Sequence, residues 1–342
     1  MNNLAARMIA WQRQYGRHDL PWQSGNAYQV WVSEIMLQQT QVATVIPYYQ
    51  RFLVSFPSIR VLASASEEQV LAHWSGLGYY ARGRNLHKAA QIIVSQYGGE
   101  FPREFEQILA LPGIGRSTAA AICTLAFHQR HAILDGNVKR VFARYFGIEG
   151  WAGDKKIEQQ MWQQAEAQLP MSEIAIYTQA LMDMGATVCT RSKPDCLVCP
   201  LLSGCIAAKT NRVAQLPTPR PRKAVPERCT TFLLLKHGKD ILLEKRPGNG
   251  IWGGLWCPPQ LDDGQELVTD YLQRNGMEVS GEVELEAFTH TFTHFRLHIT
   301  PVLLYLAYKP EQVQQAGSLW LDAEDAMQAA IPTPVRKVLR SI

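Results

Sequence analysis

The feature that most limits what this chain can become is a run of four cysteines within 17 residues, Cys189-x6-Cys196-x2-Cys199-x5-Cys205. Thiols spaced this closely can converge on one metal centre, and Pro194 and Pro200 stiffen the loop that would deliver them. Four sulfurs without a neighbouring histidine suit either tetrahedral zinc or a [4Fe–4S] cube. Zinc sites usually show two Cys-x2-Cys knuckles; this run has one, which favours the cluster. The other cysteines, Cys123, Cys229 and Cys257, are scattered, and the total of seven is odd. The first residues, MNNLAARMIAWQRQYGRHDL, lack the apolar core of a signal peptide. Together these points argue for metal ligation over disulfides, and for a cytoplasmic location.

At 342 residues the chain is long enough for two cores. Up to about residue 210 the pattern is helical. Apolar residues recur at three- and four-residue spacing over 26–55, 66–74, 84–97, 103–110, 116–128, 137–146, 154–168 and 172–187, between Gly, Pro and Asn/Asp breaks. Residues 211–227, with Pro217, Pro219, Pro221 and Pro226, read as an extended linker. From 228 to 342 the pattern turns to strands, as in CTTFLLLK and DILLEKR, with short helices near 265–274, 322–330 and 333–340. No stretch is long and apolar enough to span a bilayer. The net charge of +4 decides little, but Arg212, Arg220, Arg222, Lys223 and Arg228 crowd the linker against Glu227 alone. A basic connector suits a chain lying on phosphate, and it equally suits a solvated linker. Arg191 and Lys193, between the first two cysteines, give that loop the same capacity to grip a phosphate backbone.

A second motif precedes the cysteines. Leu111-Pro112-Gly113-Ile114-Gly115 ends one helix, and Arg116-Ser117-Thr118 begins another. Glycines let backbone N–H groups approach an anion, and the next helix adds the positive end of its dipole. Read physically, this is either a helix–hairpin–helix that holds DNA phosphate through Gly113 and Gly115 or a plain interhelical turn. Twenty residues beyond Gly115 stands Asp135, in Leu134-Asp135-Gly136-Asn137-Val138. On its own it reads as a helix N-cap.

The hairpin, the following aspartate and the four cysteines together resemble the endonuclease III superfamily of base-excision glycosylases, and within it the MutY family of adenine glycosylases. The resemblance covers nearly the whole chain. It rests on PWQ at 21–23, WVSEIMLQQTQVATVIPYY at 31–49, GLGYYARGRNLH at 76–87, LPGIGRSTAAAI at 111–122 and ILDGNVKRV at 133–141. It implies a mainly α helix–hairpin–helix glycosylase domain carrying a [4Fe–4S] cluster on Cys189, Cys196, Cys199 and Cys205, followed by an α+β Nudix-like domain.

The resemblance also assigns roles. Glu34 matches the glutamate that protonates adenine, Asp135 the aspartate that stabilises positive charge on the sugar, and Asn137 a residue orienting water or that aspartate. Breaking an N-glycosidic bond needs such a pair, an acid for the leaving base and a carboxylate for an oxocarbenium-like centre. An apolar helix face around Glu34 would raise its pKa by desolvation. Leu20 and Trp22 look like pocket wall. Gln38, Gln39 and Tyr79 resemble the wedge that enters the duplex when the base is swung out. Bifunctional members carry a lysine nucleophile where this chain has Ser117, so a monofunctional enzyme is implied.

Lys245-Arg246-Pro247 and Gly250-Ile251-Trp252-Gly253-Gly254-Leu255-Trp256 resemble the front of a Nudix domain. The acidic helix of a working Nudix hydrolase is not matched, since residues 264–276 offer Glu266 and Asp270 without the spacing. A recognition domain is implied, with Phe292, Thr293 and His294 probing 8-oxoguanine and His290 and His298 as bystanders. The implied partner is duplex DNA bearing 8-oxoguanine:adenine or guanine:adenine mispairs, bound by a monomer of bacterial, nucleoid-associated type. Rival readings are a glycosylase/lyase for oxidised pyrimidines, a non-catalytic DNA-binding protein and a nucleotide pyrophosphohydrolase.

Overall fold

The breaks anticipated from Gly, Pro and Asn/Asp fall where the backbone turns in the computed structural model, which describes residues 4–221, 224–262, 267–310 and 317–342. Arg222, Lys223 and Glu266 lie outside the described residues. Contacts group the chain into two compact units that are discontinuous in sequence. One comprises the described parts of Met1–Ser64 and Lys88–Arg222; the other comprises those of Ala65–His87 and Lys223–Ile342. The segment Ala65–His87, helical as anticipated, therefore clusters with the strand-rich part of the chain, a grouping that periodicity alone does not reveal.

The first unit is built from α1 (Leu4–Tyr15), α2 (Ala27–Leu37), α3 (Val42–Ser55), α4 (Ile59–Ser64), the end of α6 (Ala81–Tyr97), α7 (Phe105–Leu109), α8 (Arg116–Phe127), α9 (Gly136–Tyr145), α10 (Lys155–Ala167), α11 (Ile174–Asp183) and α12 (Ile206–Lys209). The periodic stretch 26–55 forms two helices rather than one. Gln39, at φ 59, adopts a left-handed conformation that no helix can continue through, and α2 stops at Leu37. The last stretch leaves α geometry at Asp183 and continues as a π turn, Met184–Val188, directly before Cys189. Leu4, Met8, Val138, Phe142, Met161, Tyr177, Leu181 and Met184 close one core over these elements.

The π turn lies against the start of α9. At Gly185 an added Cβ would sit 2.5 Å from Asn137 Cβ and 2.9 Å from its Cα, so only glycine permits the approach. Just upstream, Asp183 is fully buried and accepts five hydrogen bonds. They come from Gln12 Nε2 (2.9 Å), Arg17 N (2.8 Å), Arg17 Nε (3.0 Å), Arg17 Nη2 (2.6 Å) and Gln179 Nε2 (2.8 Å). This carboxylate ties α1 and the segment after it to α11.

The second unit contains α5 (Glu67–Trp74), the start of α6, and the strands β1 (Glu227–His237), β2 (Asp240–Lys245), β3 (Trp256–Cys257), β4 (Gln260–Asp262), β5 (Val279–Glu284), β6 (Phe288–Thr291), β7 (Arg296–Leu306) and β8 (Ser318–Asp322). Helices α13 (Val268–Arg274), α14 (Ala323–Gln328) and α15 (Thr333–Leu339) complete it. The described strands form one sheet in the order β3-β2-β1-β7-β5, with β4 on β1, β6 on β7 and β8 on β2. The central pair β1 and β7 is parallel, with Leu233 opposite Val302 and Leu235 opposite Leu304. Those alternate residues share a face, which packs with Leu242 and with Tyr271 of α13. The apolar run beyond residue 282 is divided by turns into β5, β6 and β7, and the turn between β6 and β7 exposes Thr293 and His294. Among the described residues no helix is long and apolar enough to cross a membrane.

Replacing Asp183 by Ala strands Arg17, Gln12 and Gln179 at once. A buried charge pair broken from one side typically costs about 3–5 kcal/mol. The thermal melt of the helical unit should fall by several degrees, and an unchanged melt would refute this account of the α1–α11 contact.

Candidate active site

Asp135 opens α9 as its N-cap, and Oδ1 accepts from Val138 N at 2.8 Å. The elementary N-cap reading of this aspartate therefore holds. It does not exhaust the carboxylate, because Oδ2 accepts from Asn137 Nδ2 at 3.3 Å. Asn137 Oδ1 in turn accepts from Arg140 Nη2 at 2.7 Å. Arg140 donates further to Gly185 O at 2.6 Å and Cys189 O at 2.7 Å. A chain of hydrogen bonds thus runs from the Asp135 carboxylate to the backbone of the first cysteine. Burial raises the Asp135 carboxyl above its usual range, opposed by the Val138 and Asn137 N–H groups and the Arg140 guanidinium.

Glu34 lies on α2, whose N-cap Asn26 accepts from Gln29 N at 3.2 Å. Its neighbours Trp31, Val32, Ile35 and Met36 are buried, and α2 packs on α8. Glu34 keeps partial solvent access, yet it is enclosed by enough protein to lose most of its hydration. Burial, and then the negative charge of Asp135, push its carboxyl up to about 8. Two acids separated by a hundred residues therefore feel one another, and the repulsion between them is carried by Glu34. The N–H donors and Arg140 around Asp135 favour its ionised form against its burial, whereas burial and the Asp135 charge both favour the protonated form of Glu34.

The residues around this pair are placed as follows. Gly113 turns the hairpin at φ 80, and Gly115 caps α8 with no atom near its absent Cβ. Gln38 Nε2 makes long contacts to Gly113 O (3.4 Å) and Thr118 Oγ1 (3.5 Å), tying the end of α2 to the hairpin, whereas Gln39 is exposed. Ser117 Oγ accepts from Leu134 N at 3.0 Å. Its hydroxyl thus anchors the backbone one residue before Asp135. Leu20 and Trp22 are buried, and Trp22 meets Tyr49 edge-on at 5.4 Å.

Cys189, Cys196, Cys199 and Cys205 line one small cavity with Val188, Leu202, Ala208 and Val213. The sulfurs of Cys189, Cys196 and Cys205 all act electrostatically on Cys199, so the four converge as their spacing suggested. Among the described residues no three His, Cys, Asp or Glu side chains are gathered tightly enough to hold a single metal ion. Arg144, buried in α9, donates to Cys189 Sγ at 3.3 Å and to the carbonyls of Thr190, Arg191, Val213 and Leu216. This guanidinium sets the shape of the loop. Arg191 and Lys193 are exposed on it.

Within the second unit Tyr79, at φ 50, is 46% exposed, and its hydroxyl lies 3.1 Å from Thr293 Oγ1. It is therefore not a core aromatic. Phe292 is half-buried, while Thr293 and His294 are exposed. His298 is held by Thr289 Oγ1 and Glu227, whereas His290 packs against Trp252 and Phe292.

Sequence reasoning missed Arg140, Arg144 and Gly185. The two arginines bond mainly to backbone carbonyls far along the chain, which leave no residue signature. A glycine required by one close approach looks like any other. The i,i+3 spacing of Asn137 and Arg140 on α9 was the one available signal.

Residues 32–167 match the HhH-GPD superfamily of base excision DNA repair proteins, and residues 230–341 match the NUDIX domain. The adenine DNA glycosylase of Buchnera aphidicola subsp. Acyrthosiphon pisum is 39% identical over 98% of this chain and 96% of its own. The human adenine DNA glycosylase is 33% identical, covering 97% of this chain and 72% of its own. A thermostable thymine-DNA glycosylase superposes with a TM-score of 0.54 at 27% identity, over 60% of this chain and 95% of that one. The chain belongs to the adenine DNA glycosylase family of base-excision repair enzymes.

Proposed function

We propose that this glycosylase hydrolyses the N-glycosidic bond of adenine mispaired with 8-oxoguanine or guanine in duplex DNA, as a monomeric and monofunctional enzyme of the cytoplasm. Glu34 is the general acid, and Asp135 stabilises the oxocarbenium ion. The observation that carries this reading is that two acids a hundred residues apart are brought close enough to interact, with burial and then the Asp135 charge pushing Glu34 up to about 8.

The chemistry follows from that asymmetry. The adenine must leave the base stack to be reached; Gln39 in the first unit and Tyr79 in the second are each exposed at a left-handed backbone position, as a residue that enters a duplex must be. Glu34 gives its proton to N7 of the extruded base as the C1′–N9 bond breaks, so adenine departs neutral. Electron density leaves the sugar, and the Asp135 carboxylate faces the resulting cation. Asn137, bonded to Asp135 and held by Arg140, keeps the carboxylate oriented. Water then adds to C1′ and leaves an abasic site. Ser117 carries no amine and spends its hydroxyl on Leu134, which supports a reaction without a Schiff base.

The cysteine loop fits a [4Fe–4S] cluster through its four convergent sulfurs and the Arg144 N–H directed at Cys189. When bound, the cluster supplies iron–thiolate anchors that pin residues 189–205, with Arg191 and Lys193 turned to phosphate. Thr293 and His294 bring a hydroxyl and an imidazole, able to bond the N7–H and C8=O edge that distinguishes 8-oxoguanine from guanine. The Nudix-like unit thus serves recognition.

Glu34→Gln or Asp135→Asn should still bind mispaired duplex but release adenine at least about a hundredfold more slowly in single turnover. Near-normal excision by both would end the assignment. The wild-type rate should fall tenfold per unit above pH of about 8, where Glu34 loses its proton, and should also fall on the acid side, where Asp135 gains one. A rate still rising at pH 9 would contradict a protonated Glu34. Purified protein should be brown, with a shoulder near about 400 nm and iron and sulfide in equal amounts. Stoichiometric zinc without iron would overturn the cluster.

A further inference from the structure

The Gly250–Trp256 motif has no task in the mechanism above, yet the second unit is built closely around it. Trp252 is a bulky residue only 6% exposed and held at φ 56, a left-handed conformation that such side chains avoid. Its surroundings impose that shape. Arg246 N donates to Leu255 O at 2.8 Å, Gly254 N to Arg246 O at 3.1 Å and Leu255 N to Trp252 O at 3.0 Å. At Gly253 an added Cβ would stand 2.5 Å from Gly248 O, so the loop is closed on itself. Backbone strain of this kind persists only where the surroundings over-determine it, and it clusters at functional sites.

The ring so held is the floor of an aromatic tier. Trp252 meets Phe232 at 5.9 Å on the sheet, and it meets His290 at 6.0 Å and Phe292 at 5.5 Å. His290 and Phe292 are edge-on at 4.7 Å, and Phe292 stacks on Phe295 at 4.6 Å. The turn itself is closed by Phe292 N donating to Phe295 O at 2.9 Å. Thr293 and His294 are therefore exposed on a turn whose two flanking rings are stacked and whose underside rests on one strained indole. Burial lowers the His290 pKa, so that ring packs neutral in the tier.

We propose that Trp252 is a specificity-determining positioning residue, fixing the height and direction at which Thr293 and His294 meet the base opposite the adenine. The proposal rests on the reading of those two residues as the lesion probe. Trp252 does not touch the reacting bond. Its loss should act on recognition of the altered guanine edge and leave bond cleavage alone, and His290 is a structural member of the same tier.

The test uses the full-length protein in single turnover on 8-oxoguanine:adenine and guanine:adenine duplexes. The wild-type ratio comes first; a ratio near one refutes the lesion reading itself and is distinct from failure of the present proposal. Given discrimination, Trp252→Leu should lower the 8-oxoguanine:adenine rate about tenfold and the guanine:adenine rate less than about twofold, the loss of edge and stacking contacts being of that order. Trp252→Phe should recover most of the ratio. In a Thr293→Ala/His294→Ala background, Trp252→Leu should change the ratio no further. An unchanged ratio, whether both rates hold or fall together, overturns the proposal, as does a ratio effect that persists in that background. Should Trp252→Leu melt far below wild type, Phe292→Leu carries the test: it must lower the ratio while Trp252→Phe largely keeps it, and an unchanged ratio in Phe292→Leu overturns the proposal.

Discussion

The buried Asp135 carboxylate is the group on which the hydrogen bonds at the start of α9 converge. The carboxylate caps α9, takes the Asn137 amide and lies within the field of Arg140. Each of these favours the ionised form. Burial works against them and outweighs them, so the carboxyl lies above its usual range. Glu34 is pushed up first by its own burial and then by the negative charge of Asp135.

The same hydrogen bonds join Asp135 to the cysteine loop. Arg140 spans Asn137, Gly185 O and Cys189 O, and Gly185 is the only kind of residue that lets the π turn lie against α9. Arg144, one turn further along α9, shapes the loop from inside. Two arginines on one helix therefore serve two sites. Asp183 secures the far side by fastening α1 to the helix that leads into the π turn.

Much of the site was legible in the chain before any fold was known. Asp135 announced itself as an N-cap, and it is one; its second role needed the family resemblance and then the approach of Glu34. The cysteine spacing pointed to a shared centre, and the four sulfurs do line one cavity. Gln38 and Gln39, adjacent in sequence, part company in space, because the left-handed turn at Gln39 sends one toward the hairpin and exposes the other. Ser117 was legible as an absent nucleophile, while its bond to Leu134 was not. His290 was set aside as a bystander, yet it lies within the ring tier on Trp252.

Local chemistry determined where helices and strands alternate, which thiols cluster, where a glycine hairpin turns and which residue caps α9. Those properties depend on near neighbours and need no knowledge of the fold. Protonation did not belong to that class. The pKa of Glu34 depends on a carboxylate brought from a hundred residues away and on the water both have lost, and neither quantity is written in a window of sequence. The grouping of Ala65–His87 with the sheet, the requirement for glycine at 185 and the strained indole at 252 are likewise products of packing. Only tertiary structure decided them, because each is a distance between groups that the chain itself keeps far apart.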